Sequence, residues 1–154
     1  MANTKDFQLD RNEVLPQLIQ EPEKFLIIAG LAGTARDIAH LCGVGRSNYY
    51  AMAGAMGGAV SIGLGLALAQ PERRILVCTG DGELLMNIGA LATVSVMKPA
   101  NLGILCVDNA HYGETGNQQS HTGQCTNLAT MAHGAGIPKV FSISKEEDIT
   151  VARN

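Results

Sequence analysis

Ile75-Leu-Val-Cys-Thr79, Gly80-Asp81-Gly82, a segment running from Glu83-Leu84 to Met97, then Leu102-Gly-Ile-Leu-Cys-Val107 and Asp108-Asn109: the reading of this stretch decides the fold. Ile75 to Thr79 is a short, unbroken apolar run, which suits a strand buried on both faces of a parallel sheet. Leu84 to Met97 is rich in Ala, Leu and Met and is stopped by Pro99, which predicts a helix. Leu102 to Val107 is a second buried run. The unit is therefore strand, glycine turn, helix, strand. It predicts an α/β fold built on an open, doubly wound, mainly parallel sheet with helices on both faces. Asp81 and Asn109 then stand at the carboxyl ends of two strands, the edge where open parallel sheets bind ligands.

The chemistry of the turn narrows the ligand. Glycines flanking Asp81 let the backbone bend tightly and let a ligand come close to it. The helix start beyond them offers unpaired N–H groups and a positive dipole end, which suit a phosphate. A phosphate beside Asp81 requires a cation between the two negative charges. A carboxylate oxygen, an amide oxygen from Asn109 and phosphate oxygens make a hard, all-oxygen set of the kind Mg²⁺ takes. Each residue taken alone reads as a helix cap or a strand end. Together, at the strand ends, they read as a magnesium–diphosphate site, with Asp81 expected at the sheet's rim.

The triplet Gly80-Asp81-Gly82, with Asn109 placed 28 positions after Asp81, resembles the signature of thiamine-diphosphate enzymes. The likeness extends upstream to Gly54-Ala55-Met56-Gly57 and downstream to Tyr112-Gly113-Glu114-Thr115-Gly116-Asn117-Gln118. It covers nearly the whole chain, and is nearest to the beta subunit, or carboxyl-terminal half, of the sulfopyruvate and phosphonopyruvate decarboxylases. The resemblance implies that Asp81, the side chain of Asn109 and the carbonyl of His111 bind Mg²⁺. Gly80, Gly82, Glu83 and Leu84 would border the diphosphate. Met56 would prop the cofactor in a bent shape, and the Gly54 carbonyl would accept a hydrogen bond from its pyrimidine amino group. Tyr112 and Gly113 would lie against cofactor and substrate.

The resemblance also implies a partner. The glutamate that activates the pyrimidine belongs to a separate pyrimidine-binding, alpha-type domain, which this chain lacks, so a second polypeptide is expected to supply it. The implied activity is Mg²⁺- and thiamine-diphosphate-dependent decarboxylation of a 2-oxo acid. A synthase-type carboligase half, or a non-catalytic cofactor-binding or scaffold subunit, are the alternatives. Which 2-oxo acid is used stays open, because no Arg or Lys lies in residues 109–124 to advertise a sulfonate or phosphonate. Two departures stand out. The family's domain continues for one more helix and strand, so residues 1–154 read as a single domain lacking those elements. Glu83 stands where many members carry a small residue, and its carboxylate is expected to point away from the diphosphate.

Further candidates come from the residues themselves. As histidines, His111 and His121 would serve as acid–base groups in the polar, glycine-punctuated segment 110–124; solvated loop residues are the alternative. Gly30-Leu-Ala-Gly33 follows a predicted strand, Phe25–Ala29, and Thr34 reads as the N-cap of a helix over residues 35–42. As a second glycine-then-helix turn at a strand end, it would also reach the diphosphate.

With 46% hydrophobic and only 16% charged residues, the chain should bury much of its surface, in part against other subunits as a homo- or hetero-oligomer. A formal charge of −3 with no basic run argues against nucleic acid or an anionic membrane as partner. Residues 51–69 carry no charge and are long enough to cross a membrane, but small residues dominate them and a buried strand follows at once. They read instead as a soluble, buried helix packed through its small face. Cys42, Cys78, Cys106 and Cys125 show no C-x-x-C spacing, and residues 1–6 lack the apolar core of a signal peptide, so a reduced, cytoplasmic protein is expected. Asp10 is expected to cap a helix over residues 11–20, and residues 127–133 to form a short helix. Lys139–Ile143 reads as a fourth strand, and Ser144 to Glu147 as a capping box opening a last helix.

Overall fold

The computed structural model describes residues 9–43 and 45–153. Three apolar runs become strands as expected: β1 (Phe25–Ala29), β3 (Arg74–Gly80) and β4 (Leu102–Val107). With the three-residue β2 (Tyr49–Ala51) they form a wholly parallel sheet in the order β2-β1-β3-β4. The chain steps from β1 outward to β2, crosses back, and continues through β3 to β4. The order therefore reverses between β1 and β3, and the crevice at that reversal opens on the strands' carboxyl ends.

Helices cover both faces. On one side α3 (Ala59–Ala69), α5 (Ala90–Met97) and α6 (Leu128–Gly134) pack over Ile28, Val77, Leu102 and Ile104. On the other, α2 (Gly33–Cys42) and the end of α1 (Arg11–Leu18) cover Ile27, Ala29, Leu76 and Cys78. Neighbouring strand residues thus feed opposite cores, which is why the runs are unbroken rather than alternating. The small face expected of residues 51–69 is real in its second half. A Cβ on Gly63 would lie 2.1 Å from Cγ2 of Val77, so α3 sits directly on the sheet. No helix among the described residues is long and apolar enough to cross a membrane.

Several local expectations are corrected. Residues 51–58 are not helical: Ala51 pairs with Ala29 in the sheet, Ala53 and Gly57 adopt positive φ, and the helix begins only at Ala59. The helix expected over 84–97 is two, α4 (Asp81–Met86) and α5. Asn87 interrupts it by turning its amide to the Gly57 carbonyl at 3.0 Å and to Ser61 Oγ at 3.3 Å, a side-chain bond that competes with helix continuation. Thr34 is not an N-cap: α2 starts two residues earlier than expected, at Gly33 after Ala32, and Thr34 is buried in its first turn.

Lys139–Ile143 forms no strand, because none of the described residues pairs with it; Phe141 stays half exposed. The sheet's fourth strand is β2 instead, whose last residue, Ala51, opens the stretch expected as a helix. Before α7 (Glu146–Arg153) the reciprocal acid is Asp148 rather than Glu147, accepting from the N–H groups of Ser144 (2.9 Å) and Lys145 (3.0 Å). Asp10 caps α1 through the Asn12 N–H, as expected.

Candidate functional site

The strand register brings the candidate residues to one edge. Gly80 pairs with Val107, so Asp81 and Asp108 emerge side by side and Asn109 follows one residue on. The turn after β1 (residues 30–32) and the turn after β2 (residues 52–58) open at the same level, tied by the Gly30 N–H to the Cys78 carbonyl (2.7 Å) and the Met52 N–H to the Ala29 carbonyl (2.9 Å). Ala32, Ala53 and Ala110 each adopt a φ near +60° in the turns after β1, β2 and β4. Left-handed alanine costs about 1 kcal/mol or more at each position and persists only where surrounding contacts enforce it; such strain gathers at functional edges.

Asp81 opens α4 directly after Gly80, at the sheet's rim as expected, but that rim is closed over. Asp81 is 2% exposed, roofed by the segment that returns from β5 (His111–Tyr112) through β6 (Gln118–Gln119). Its Oδ2 accepts from Ser120 Oγ at 2.5 Å and from Thr122 Oγ1 at 3.1 Å. Thr122 Oγ1 lies still closer to Asp108 Oδ1, at 2.6 Å, and 2.9 Å from Ser120 Oγ. The roof continues with Tyr112. A Cβ on Gly82 would lie 2.3 Å from its ring, so only glycine leaves space for that ring over the α4 start.

Asn109 is exposed, and its Oδ1 accepts from the His111 N–H at 3.1 Å, leaving a second lone pair on the amide oxygen. His111 Nδ1 lies 2.9 Å from the Asn109 carbonyl; a carbonyl only accepts, so Nδ1 carries the proton and Nε2 is the available nitrogen. His121 is exposed, on the short 3₁₀ turn between Ser120 and Gly123.

Glu83 sends its carboxylate across the strand reversal, where Oε2 accepts from the Leu31 N–H (3.1 Å) and Thr79 Oγ1 (2.9 Å) and Oε1 is buried without a partner among the described residues. Glu83 thereby ties the turn after β1 to the turn after β3. The Leu84 side chain belongs to the core, which leaves only its backbone for any ligand. Gly54 is exposed and Met56 half buried in the turn after β2, on the ligand edge rather than in a helix. Thr34 is buried in the first turn of α2, after the turn that follows β1.

Cys106 sits on β4 beneath the carboxylates. Burial pushes its thiol pKa up, and the nearby charges of Asp81, Asp108 and Glu83 push it further the same way. It is a neutral thiol, not a nucleophile. Ser120, Thr122 and Asp108 were not singled out from sequence as site residues. The two hydroxyls lie 39 and 41 positions from the carboxylate they hold, and no local pattern announces such a contact.

Residues 32–153 match the family model described as thiamine pyrophosphate enzyme, C-terminal TPP binding domain. The chain is 39% identical over 138 residues to a sulfopyruvate decarboxylase subunit beta of Methanocaldococcus jannaschii, covering 89% of this chain and 72% of that one. It is 34% identical over 143 residues to a phosphonopyruvate decarboxylase of Streptomyces hygroscopicus, covering 92% of this chain and 35% of that one. Among solved structures, benzoylformate decarboxylase from Polynucleobacter necessarius superposes with a TM-score of 0.76 at 15% identity, over 99% of this chain and 32% of that one, which is a likeness of fold. With the glycine–aspartate turn at the strand reversal and a model matched over most of its length, the chain belongs to the thiamine pyrophosphate enzyme family, as a domain of the C-terminal, TPP-binding type.

Proposed function

We propose that this chain is the Mg²⁺- and thiamine-diphosphate-holding subunit of a 2-oxo acid decarboxylase of the sulfopyruvate or phosphonopyruvate type. A separate pyrimidine-binding subunit would complete the active site. The observation that carries the reading is the convergence of Asp81 and Asn109 on neighbouring strand ends beside the reversal between β1 and β3. The names of the relatives, among them "subunit beta", support a partner.

The residues present fit the group. Asp81, Asn109 and the His111 carbonyl are all oxygen donors, as a hard cation prefers. Among the described residues no three His, Cys, Asp or Glu side chains gather to hold a metal unaided, so phosphate oxygens would complete the set. Backbone N–H groups of the Gly80–Leu84 turn would hold the diphosphate, and the turn at Thr34 would reach it from β1. Gly54 and Met56 would orient the pyrimidine end, while Tyr112 and Gly113 would cover the cofactor and exclude water. His111 Nε2 and His121 would hold or move protons at the mouth of the site. Thiamine diphosphate, when bound, supplies the electron sink that a 2-oxo acid needs in order to lose CO₂.

Glu83 is committed to Leu31 and Thr79, and Glu114 to an ion pair with Arg36 at 2.9 Å. Neither is free to activate a pyrimidine, which supports an activating carboxylate from the partner. Exposed apolar side chains on α3 (Ile62, Leu68), α4 (Met86) and α5 (Val96) support assembly with other subunits. Four free thiols suit a cytoplasmic protein.

The test is calorimetric titration of thiamine diphosphate with and without Mg²⁺, followed by CO₂ release from sulfopyruvate, phosphonopyruvate and pyruvate, with and without the partner. Mg²⁺-dependent binding lost in Asp81→Asn, and turnover only with the partner, is the expected result. Cofactor affinity indifferent to both Mg²⁺ and Asp81, or sustained turnover by the chain alone, would overturn the reading.

A further inference from the structure

We propose that Ser120 and Thr122 are positioning residues for the metal donors, Ser120 through Asp81 and Thr122 through Asp108 beside the Asn109–His111 corner. The inference rests on the functional reading above but uses contacts that reading does not require.

Ser120 is fully buried and Thr122 is 2% exposed. A polar side chain that deep must earn its place through hydrogen bonds. The two hydroxyls carry one proton each, and two carboxylate oxygens compete for them. The short contacts assign them: Ser120 donates to Asp81 Oδ2 (2.5 Å) and Thr122 donates to Asp108 Oδ1 (2.6 Å). Both lengths are those of hydroxyl bonds to ionised carboxylates. The contacts of 2.9 Å between the hydroxyls and 3.1 Å from Thr122 to Asp81 then close the ring of four groups. Ser120 donates to Oδ2, so Oδ1 is the oxygen left for a cation.

The backbone doubles the link. The Ser120 N–H donates to the Ala110 carbonyl at 2.7 Å, and the Ala110 N–H donates to Asp108 Oδ1 at 3.0 Å. Ala110 is the left-handed residue between Asn109 and His111, two of the candidate metal donors. Ser120 therefore grips both halves of the candidate set: Asp81 at the end of β3 through its hydroxyl, and the Asn109–His111 corner after β4 through its amide. The distance between those halves would be set by the returning segment as well as by the sheet.

Removing hydroxyls that orient a metal ligand weakens metal binding roughly 10–100-fold. The experiment measures Mn²⁺ affinity by electron paramagnetic resonance at saturating thiamine diphosphate, on folded protein well below its thermal midpoint. It compares wild type with Ser120→Ala, Thr122→Val and Thr122→Ser. The expectation is a loss of roughly 10-fold or more in Ser120→Ala and Thr122→Val, a changed Mn²⁺ spectrum, and near wild-type affinity in Thr122→Ser. A merely structural hydroxyl would lower the thermal midpoint and leave the affinity of the folded protein unchanged, and that outcome overturns the proposal.

If the first two variants do not fold, Ser120→Cys and Thr122→Cys decide, since a thiol is close in size but a weak donor: a roughly 10-fold loss in the folded protein supports the proposal and retained affinity overturns it. The two readings fail separately. Wild-type protein that binds no Mn²⁺ with the cofactor defeats the functional reading. Binding that depends on Asp81 but ignores Ser120 and Thr122 defeats only this one.

Discussion

Replacing Gly63 with alanine would test how α3 sits on the sheet, and the structure sets the size of the effect. On an exposed helix the substitution would stabilise by about 1 kcal/mol, because glycine is the poorer helix former. Here the new methyl would lie 2.1 Å from Cγ2 of Val77, about 1.3 Å inside the 3.4 Å at which ordinary contact begins. Val77 is fully buried on β3, with parallel partners on both sides, and has nowhere to go. The helix must move instead, and with it Ala59, Val60, Leu64 and Ala67, all buried against the same core. Overpacking of this kind costs about 1–3 kcal/mol or more, which outweighs the propensity gain. A net loss of about 2 kcal/mol corresponds to a midpoint lower by roughly 4–8 °C for a domain of this size.

The assay is thermal and urea unfolding of wild type, Gly63→Ala, Val77→Ala and the double variant. Val77→Ala removes Cγ2, so the double variant should be less damaged than the two single effects predict, with a coupling of about 1 kcal/mol or more. A Gly63→Ala protein more stable than wild type, with additive behaviour at Val77, would show that α3 does not lie on β3 as described. The same contact positions the turn at residues 52–58, which leads into α3 on the ligand edge.

Two further outcomes follow from burial and charge. Burial pushes the thiols of Cys78 and Cys106 up, away from the thiolate form, whereas Cys125 is exposed. A disulfide reagent in mildly alkaline buffer should therefore label Cys125 quickly, and Cys78 and Cys106 only after denaturation; fast labelling of Cys106 in native protein would contradict the packing under Asp81 and Asp108. The N–H groups of Ser144 and Lys145 hold the Asp148 carboxyl below the usual carboxylate range. A lowered folded pKa means that its contribution is present above the unfolded value and is lost as pH falls through the folded one. Amide protection across Glu146–Arg153, corrected for the intrinsic exchange rate, should fall with acidification through that range, and Asp148→Asn should show the lower protection at every pH; acid-independent protection of α7 would refute the cap.

Much of this molecule is local in origin. The runs at Phe25–Ala29, Arg74–Gly80 and Leu102–Val107 are apolar on both sides of the chain, and such a run has little alternative to a strand buried between helices. Once these are parallel neighbours, Asp81 and Asn109 must share an edge, which is why the site was legible before any coordinates. The rest depended on partners distant in sequence. Tyr49–Ala51 is a strand only because β1 offers it hydrogen bonds, and Lys139–Ile143, with comparable propensity, is not one because no described residue does. Asn87 breaks a helix that its neighbours favour, because the Gly57 carbonyl lies within its reach. Glu83 reaches across to Leu31, and Asp81 is buried at its rim, because two turns and a returning segment close over the same edge. Composition and periodicity describe what each segment prefers; which hydroxyl meets which carboxylate is decided only when the sheet brings residues 81, 108, 120 and 122 together.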